Sequence, residues 1–406
     1  MTPLTERRYL GPLALITSLF FLWALGVNLN DILIPHLKKA FRLTDFQSSF
    51  IQVAFFGGYF LAAWPAGWLM NRVGYQRGIL AGLLICSSGA LLFIPAASLL
   101  WYGLFLFALF VMACGQSFLE VAANPYVTIL GPPESAERRL NLSQSFNSVG
   151  AVITPIIGGA FILSNSETAD IDSVKIPYVV IAAIFGLVAV MIYMTALPEV
   201  HAHEEKLAST RELWKHAHLV QGVIAQFVYV GAQVGVASFV IRFAEFVSPG
   251  TPDKVAANYL KLHLLGFMLG RFAGSFAMKY VQPSRMLLGF GFGAAASVAV
   301  ALLASGPVAV AGVVAAGFFH SIMFPTIFAL SIKNLGPLTK SGSSLLVMAI
   351  IGGALFPALM GYISDASSIQ RAFVVPLICY VYIIYFAARG YRVRQTAGAE
   401  PCHATA

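Results

Sequence analysis

LGPLALITSLFFLWALGVNLNDILI, Leu10–Ile34, is an apolar run long enough to cross a bilayer, and it carries an aspartate, Asp31, near its end. A span needs about 20 predominantly apolar residues, each rising about 1.5 Å along the helix. A second run, WYGLFLFALFVMACGQSFLEVAANPYVTIL from Trp101 to Leu130, carries Glu120. A charged side chain at membrane depth costs about 2.5–3.5 kcal/mol on insertion scales, so it faces a polar cavity or a partner and marks a proton or substrate path. Two such carboxylates in a chain with only 17 acidic residues point to coupled transport.

The composition makes the chain a polytopic membrane protein. Of its 406 residues, 58% are hydrophobic and 10% charged, the mean hydropathy is +0.80, and soluble domains carry about 25% charged residues. No nucleotide fingerprint, phosphate loop or metal-spaced His/Cys cluster occurs, which argues against an ATP-driven pump or a metalloenzyme. Cys86, Cys114, Cys379 and Cys402 are scattered and form neither a disulfide nor a metal framework. Arg7, Arg8 and the Ala24-Leu25-Gly26 sequence imitate a signal peptide. The apolar run exceeds the usual core of about 7–15 residues and more spans follow, so it reads as a first transmembrane helix.

Apolar runs near 10–36, 46–70, 78–97, 101–131, 140–163, 177–197, 217–243, 257–280, 284–304, 307–332, 342–363 and 371–390 predict about twelve spans, all-α. With a cytoplasmic N-terminus, inner loops hold about twice as many Lys and Arg as outer ones, which supports cytoplasmic termini and a cytoplasmic membrane. Lys38, Lys39 and Arg42 are the exception. The net charge of +8 therefore reflects topology, and no nucleic-acid partner is expected. The polar segment 199–215 divides a six-helix bundle at 1–198 from a second at 216–392, and 393–406 reads as a short cytoplasmic tail. The halves also look alike: Gly150, Pro155 and Gly159 recur in spacing as Gly352, Pro357 and Gly361. Ala66-Gly67 followed by Arg72 and Arg77 is echoed by Ala273-Gly274 followed by Lys279 and Arg285. A duplicated six-helix unit of this kind is the plan of major facilitator transporters.

GWLMNRVGYQR, residues 67–77, resembles that superfamily's signature between its second and third helices. Gly67 and Gly74 allow close approach, while Arg72 and Arg77 anchor a cytoplasmic gate. Asn71 stands where the signature has aspartate, so the gate's charge pairing is expected to be weakened. Trp64-Pro65 before it reads as a kink and packing site.

Residues three or four apart share a helix face. Asn28 and Asp31 share one on the first helix, with Trp23 nearby; Gln116, Glu120 and Asn124 share one on the fourth. Asn141, Gln144 and Asn147 do so on the fifth, and Gln226, Tyr229 and Gln233 on the seventh. Amides match sugar hydroxyls as donors and acceptors, and an aromatic ring covers the apolar face of a pyranose. The competing reading is helix–helix glue, worth about 0.6 kcal/mol per group. Four aligned stripes with two carboxylates favour a path for a polar substrate. At about 1.5 Å per residue, Asp31 falls in the outer half of the membrane and Glu120 centrally or toward the inside. Arg271 is the one basic residue placed well inside a span, and it reads as part of a gate-like motif near the inner surface. His320 is a candidate proton relay that competes with a plain packing role. His201, His203, His216 and His218 flank the central loop as solvated residues.

Six blocks carry a more specific resemblance: FFLWALGVNLNDILIPHLKKAF (20–41), FLEVAANPYVTILGP (118–132), RLNLSQSFNSVGA (139–151), AQFVYVGAQVG (225–235), FPTIFALSIKNLG (324–336) and GSSLLVMAIIGG (342–353). Together they resemble the L-fucose:proton symporter family, the fucose–galactose–glucose branch of the major facilitators. The resemblance implies that Asp31 and Glu120 carry substrate recognition and proton translocation, and that Asn28 and Gln144 contact sugar. It also implies tyrosine before the Pro-Thr-Ile-Phe block in the fucose-transporting member, where this chain has Phe324; losing that hydroxyl weighs against L-fucose itself. The expectation is a monomeric, lipid-embedded importer of a neutral hexose or 6-deoxyhexose, with the proton as coupling ion and no other cofactor. Asn147, Gln226, Tyr229 and Gln233 complete its binding surface. A drug/proton antiporter on the same fold and a sugar sensor that moves nothing remain as alternatives.

Overall fold

The computed structural model describes residues 3–162, 174–195, 197–198 and 210–393; the side chains at 29–36, 38–39, 45–46, 48–49, 155–162, 210 and 253 lie outside the described residues. The first helix, α1, is Leu10–Ala40. One helical run, Asp45–Leu91, holds both α2 (45–73) and α3 (75–91, continued by Phe93–Ser98), divided at Gly74. Then come α4 (Tyr102–Ile129), α5 (Ala136–Ile162), α6 (Lys175–Met194), α7 (Ala217–Val247), α8 (Asp253–Ala277) and α9 (Pro283–Leu303). Helix α10 is broken into Gly306–His320 and Met323–Ile332. Helix α11 runs through Thr339–Met348, Ala349–Ile351 and Gly352–Ala366, and α12 through Ile369–Ala372, Val374–Tyr385 and Phe386–Gly390.

Nine stretches among the described residues are long and apolar enough to cross a membrane, and the longest, Phe50–Ser98, contains α2 and α3 together. Only α5 and α8 are absent from that set. The apolar end of α5, 155–162, lies outside the described side chains, while α8 carries Lys254, Lys261 and Arg271. Asn141, Ser143, Gln144, Ser145 and Ser148 on α5 and His263, Arg271 and Ser275 on α8 are all buried in protein rather than facing lipid.

Gly74 turns the chain from α2 into α3 with φ 84° and ψ 173°, a backbone region open essentially to glycine alone. The tight turn of the signature segment therefore depends on this residue. Gly74→Ala is expected to cost about 1–3 kcal/mol and to lower the unfolding midpoint of the detergent-solubilised protein. Gly57→Ala, where an added methyl meets nothing within 4 Å, should leave that midpoint in place.

The duplication read from Gly150 and Gly352 is visible in packing. Helix α1 packs on α5, α2 on α4 and α3 on α6; six helices later α7 packs on α11, α8 on α10 and α9 on α12. Gly150 lets α5 press on α1, where an added Cβ would lie 2.8 Å from the Phe21 carbonyl oxygen. Gly352 lets α11 press on α7 in the same way, with the Phe227 carbonyl oxygen 2.2 Å from an added Cβ. Segment 199–209, which joins the halves, lies outside the described residues, as do His201, His203 and Cys402.

The halves meet through α2 with α11, α5 with α8, and the Met323–Ile332 part of α10 with α4 and α5. These contacts close the face carrying the α2–α3, α4–α5, α8–α9 and α10–α11 turns, here called the linker face. Asn71 on α2 donates to the Ser341 hydroxyl on α11 at 3.1 Å. Gly67 lies so close to α11 that an added Cβ would fall 1.9 Å from Ser344 Oγ. Lys333 at the end of α10 pairs with Glu137 at the start of α5 at 2.9 Å. The expected weakness of the gate at Asn71 thus takes the form of a neutral hydrogen bond, and an ion pair joins two other helices of the opposite halves.

Candidate functional site

Glu120 sits on α4, only 7% exposed, with Oε2 lacking a hydrogen-bond partner. Gln116 one turn before it accepts from the Tyr59 hydroxyl of α2 at 3.4 Å. Asn124 one turn after it accepts from Gln144 Nε2 of α5 at 2.9 Å. The α4 stripe therefore exists as read, and it joins the α5 stripe through Asn124 and Gln144. Several atoms along it, Gln116 Nε2, Glu120 Oε2 and Asn124 Nδ2, are buried and unpartnered. Buried polar groups without partners are uncommon, and here they cluster around one carboxylate.

Arg271 supplies the opposite charge from the other half of the molecule. It is 4% exposed and stacks on the Phe267 ring at 4.4 Å. Its Nη1 donates to the Gln144 carbonyl oxygen at 2.6 Å, to Gln144 Oε1 at 3.4 Å and to Asn147 Oδ1 at 3.3 Å. Its Nε donates to the Ser321 carbonyl oxygen of α10 at 2.9 Å. Arg271 and Glu120 feel each other electrostatically, yet among the described residues they form no direct ion pair. The reading of Arg271 as a gate residue near the surface is thus replaced by a buried bridge between α8, α10 and α5.

The remaining sequence-read residues fall into two groups. Asn28 donates to the Ala24 carbonyl at 2.7 Å on its own helix, and Asn147 donates to the Phe20 carbonyl at 3.1 Å, so both spend a donor on α1. Asp31 lies on α1, but its side chain falls outside the described residues. On α7, Gln226 is fully buried with both amide atoms unpartnered, Tyr229 is fully buried, and Gln233 is half-buried. The Tyr229 ring lies 6.4 Å from Phe324, which stacks on Phe328 at 6.2 Å. The wall supplied by α4 and α5 is amide and carboxylate; the wall supplied by α7 and α10 is aromatic. Asn141 belongs to neither, because it crosses to Thr326 of α10 at 3.1 Å. In the gate segment Arg72 stacks on Trp68 at 4.0 Å and Arg77 is exposed.

His320 is buried against Tyr380, to which its Nε2 is hydrogen-bonded, and beside His263 at a ring distance of 5.7 Å. His263 in turn bonds the Val313 carbonyl at 2.9 Å. This cluster packs the first part of α10 into the second half of the molecule. His218 bonds the Lys333 carbonyl at 2.9 Å and is 2% exposed, so it is a buried packing residue and not the solvated one read from sequence. Tyr59, Thr326, Glu137 and Lys333 were not foreseen as site or gate residues. A lone tyrosine in an aromatic-rich helix carries no signal, and a pair between α5 and α10 leaves no mark in the local sequence of either helix.

Residues 16–349 match the family model described as Major Facilitator Superfamily. The chain is 44% identical over 393 residues to the glucose/galactose transporter of Brucella abortus, covering 95% of each protein. It is 42% identical over 409 residues to the L-fucose-proton symporter of Escherichia coli, covering 94% of this chain and 93% of that one. A crystal structure of the E. coli fucose:proton symporter superposes with a TM-score of 0.87 at 41% identity, covering 94% of this chain and 99% of that chain. A major facilitator transporter solved in the outward conformation gives the same TM-score at 42% identity and the same coverage.

Proposed function

Because the chain belongs to the Major Facilitator Superfamily, we propose that it is a proton-coupled sugar symporter that imports a neutral hexose or 6-deoxyhexose by alternating access. The observation that carries the reading is the buried Glu120, one oxygen unpartnered, set among amides and facing a cation held by the opposite half. Substrates of that class fit the relatives named as glucose/galactose transporter and L-fucose-proton symporter. With the linker face cytoplasmic, as the Lys and Arg distribution favours, the closed contacts describe a carrier open to the outside. It works as a monomer in a bacterial cytoplasmic membrane, with the proton as its only coupling ligand.

The cycle follows from charge. A proton enters from outside by way of Asp31, and a neutral Glu120 makes no demand on Arg271. Sugar hydroxyls then compete for Gln144 Oε1 and Asn147 Oδ1, the side-chain acceptors that Arg271 now holds at 3.4 and 3.3 Å. The aromatic wall of Tyr229 and Phe324 covers the apolar face of the ring. With the proton and sugar both aboard, the halves rock and open the linker face. Ionised Glu120 alone, by contrast, is drawn to Arg271, and this pairing discourages return of the carrier with one ligand missing.

Proteoliposomes with an imposed pH gradient, acid outside, test the substrate. Labelled D-glucose, D-galactose and L-fucose are offered in turn, and the reading predicts uphill accumulation of at least one. Phe324 predicts that D-glucose or D-galactose outperforms L-fucose. Absence of uptake for all three, with other neutral hexoses equally inert, would remove the sugar assignment.

A further inference from the structure

Arg139 is fully buried at the start of α5, and among the described residues its guanidinium bonds to backbone carbonyls and one hydroxyl. Nε donates to the Val127 carbonyl at 2.9 Å and Nη2 to that of Thr128, which caps the last turn of α4. Nη1 donates to the Pro132 carbonyl at 3.0 Å and to the Ser135 hydroxyl at 2.6 Å, both in the α4–α5 turn. The same nitrogen reaches the Leu4 carbonyl at 2.8 Å, ahead of α1 and 135 residues away in sequence. A buried charge is costly unless it is hydrogen-bonded. The planar five-donor fork of arginine can join three segments in a way that the point charge of lysine cannot.

Segment 4–6 thus lies across the α4–α5 turn as a strap. Ser135 Oγ donates to the Leu4 carbonyl at 3.1 Å, and Thr5 Oγ1 donates to the Leu130 carbonyl at 2.6 Å. Gly131 makes room for it, because an added Cβ there would fall 3.1 Å from both the Leu4 carbonyl oxygen and Thr5 Cα. The opposite side of α5 faces the other half. Residues two apart on a helix stand about 200° apart, so Glu137 and Asn141 point away from Arg139. Glu137 pairs with Lys333 at 2.9 Å. Asn141 donates to the Glu137 carbonyl at 2.8 Å and crosses to Thr326 at 3.1 Å. The first turns of α5 are gripped from behind by the strap and from in front by the other half.

We infer that segment 4–6 is a strap that sets the balance between the carrier's two states, with Arg139 as the positioning residue that transmits it to Glu137. The inference needs only exchange between a closed and an open linker face, whatever the sugar. The Lys333 side chain is half-exposed, and an ion pair of that kind contributes little unless its geometry is fixed. A seated strap presents Glu137 to Lys333 already in place. A displaced strap frees the turn, and closing the linker face must then order it again. Ordering the backbone of one residue is enough for a change of about fivefold or more in an equilibrium.

The test is the maleimide labelling rate of Ser341→Cys on the linker face, in detergent-solubilised protein whose native cysteines are replaced. Thr5→Val keeps the shape of the side chain and removes its donor; Arg139→Lys keeps the charge and removes the fork. Thr5→Val is expected to raise the rate about fivefold, and Arg139→Lys by more. Glu137→Gln should raise it too, and adding Thr5→Val to Glu137→Gln should then change little, because the strap acts through that carboxylate. A wild-type rate in any of the three single variants would overturn the inference. So would an effect of Thr5→Val that persists in full beside Glu137→Gln. A lowered unfolding midpoint with unchanged labelling would make the strap a fold element only. Should Arg139→Lys fail to reach the membrane, Thr5→Val with and without Glu137→Gln decides. Absence of sugar uptake by the unaltered protein would remove the sugar assignment and leave the labelling to judge the strap by itself.

Discussion

Glu120→Gln is expected to abolish uphill accumulation of sugar while leaving sugar exchange intact. Glutamine has the size of a protonated glutamate and no proton to give. Glu120 is buried with one unpartnered oxygen between Gln116 and Asn124, so the neutral amide fits without displacing a charged partner. The variant carrier stays permanently in the form that reorients. Empty and loaded forms then interconvert alike, and sugar equilibrates instead of concentrating. Asp31→Ala, by comparison, is expected to weaken sugar binding as well as coupling. The check is labelled sugar in proteoliposomes, measured as accumulation under a pH gradient and as counterflow without one. Retained accumulation by Glu120→Gln would move the coupling group elsewhere.

The second large effect is expected at Arg271. Its guanidinium makes a charge-assisted hydrogen bond to the Gln144 carbonyl at 2.6 Å and a second to the Ser321 carbonyl at 2.9 Å. Hydrogen bonds to charged groups contribute about 1.5–3 kcal/mol each, and cutting one leaves a buried carbonyl unsatisfied. Because the contacts to Gln144 and Asn147 cross between the halves while that to Ser321 does not, Arg271→Ala should shift the balance away from the closed linker face by about that amount or more. That is a change of roughly 10- to 150-fold in the ratio of the two states, at about 1.4 kcal/mol per tenfold. A cysteine at Ser341, which receives the Asn71 hydrogen bond on the linker face, reports the shift through its labelling rate from that side. Arg271→Lys keeps the charge but loses the planar fork, so it should fall between the two. Labelling unchanged in Arg271→Ala would mean that other contacts hold the face shut.

Much of the architecture was legible because hydropathy sets it. The span limits at α4 and α9 lie within a few residues of the apolar runs, and the repeat announced by Gly150 and Gly352 is the one that packs α5 on α1 and α11 on α7. The α4 stripe was legible because helical spacing alone puts Gln116, Glu120 and Asn124 on one face. What spacing cannot give is the partner across the interface. Asn141 and Asn147 each stand three residues from Gln144 on one stripe, yet one reaches Thr326 and the other Phe20. Arg271 read as a gate residue because its own helix says nothing of Gln144, which approaches from the other half. Nor does the spacing on α7 show that the Tyr229 hydroxyl donates to the His320 carbonyl on a different helix. Asn71 announced a missing charge, but the sequence held no sign that Glu137 and Lys333 pair between the halves.

Proton movement accompanying sugar entry tests the central claim most directly. Proteoliposomes loaded with a pH-sensitive dye, without any imposed gradient, receive a pulse of whichever sugar they accumulate. The account predicts acidification of the interior that begins with the sugar pulse and is lost in Glu120→Gln. Sugar entry with no change of internal pH would contradict it, leaving a carrier that moves sugar without the proton and a Glu120 that serves some other end.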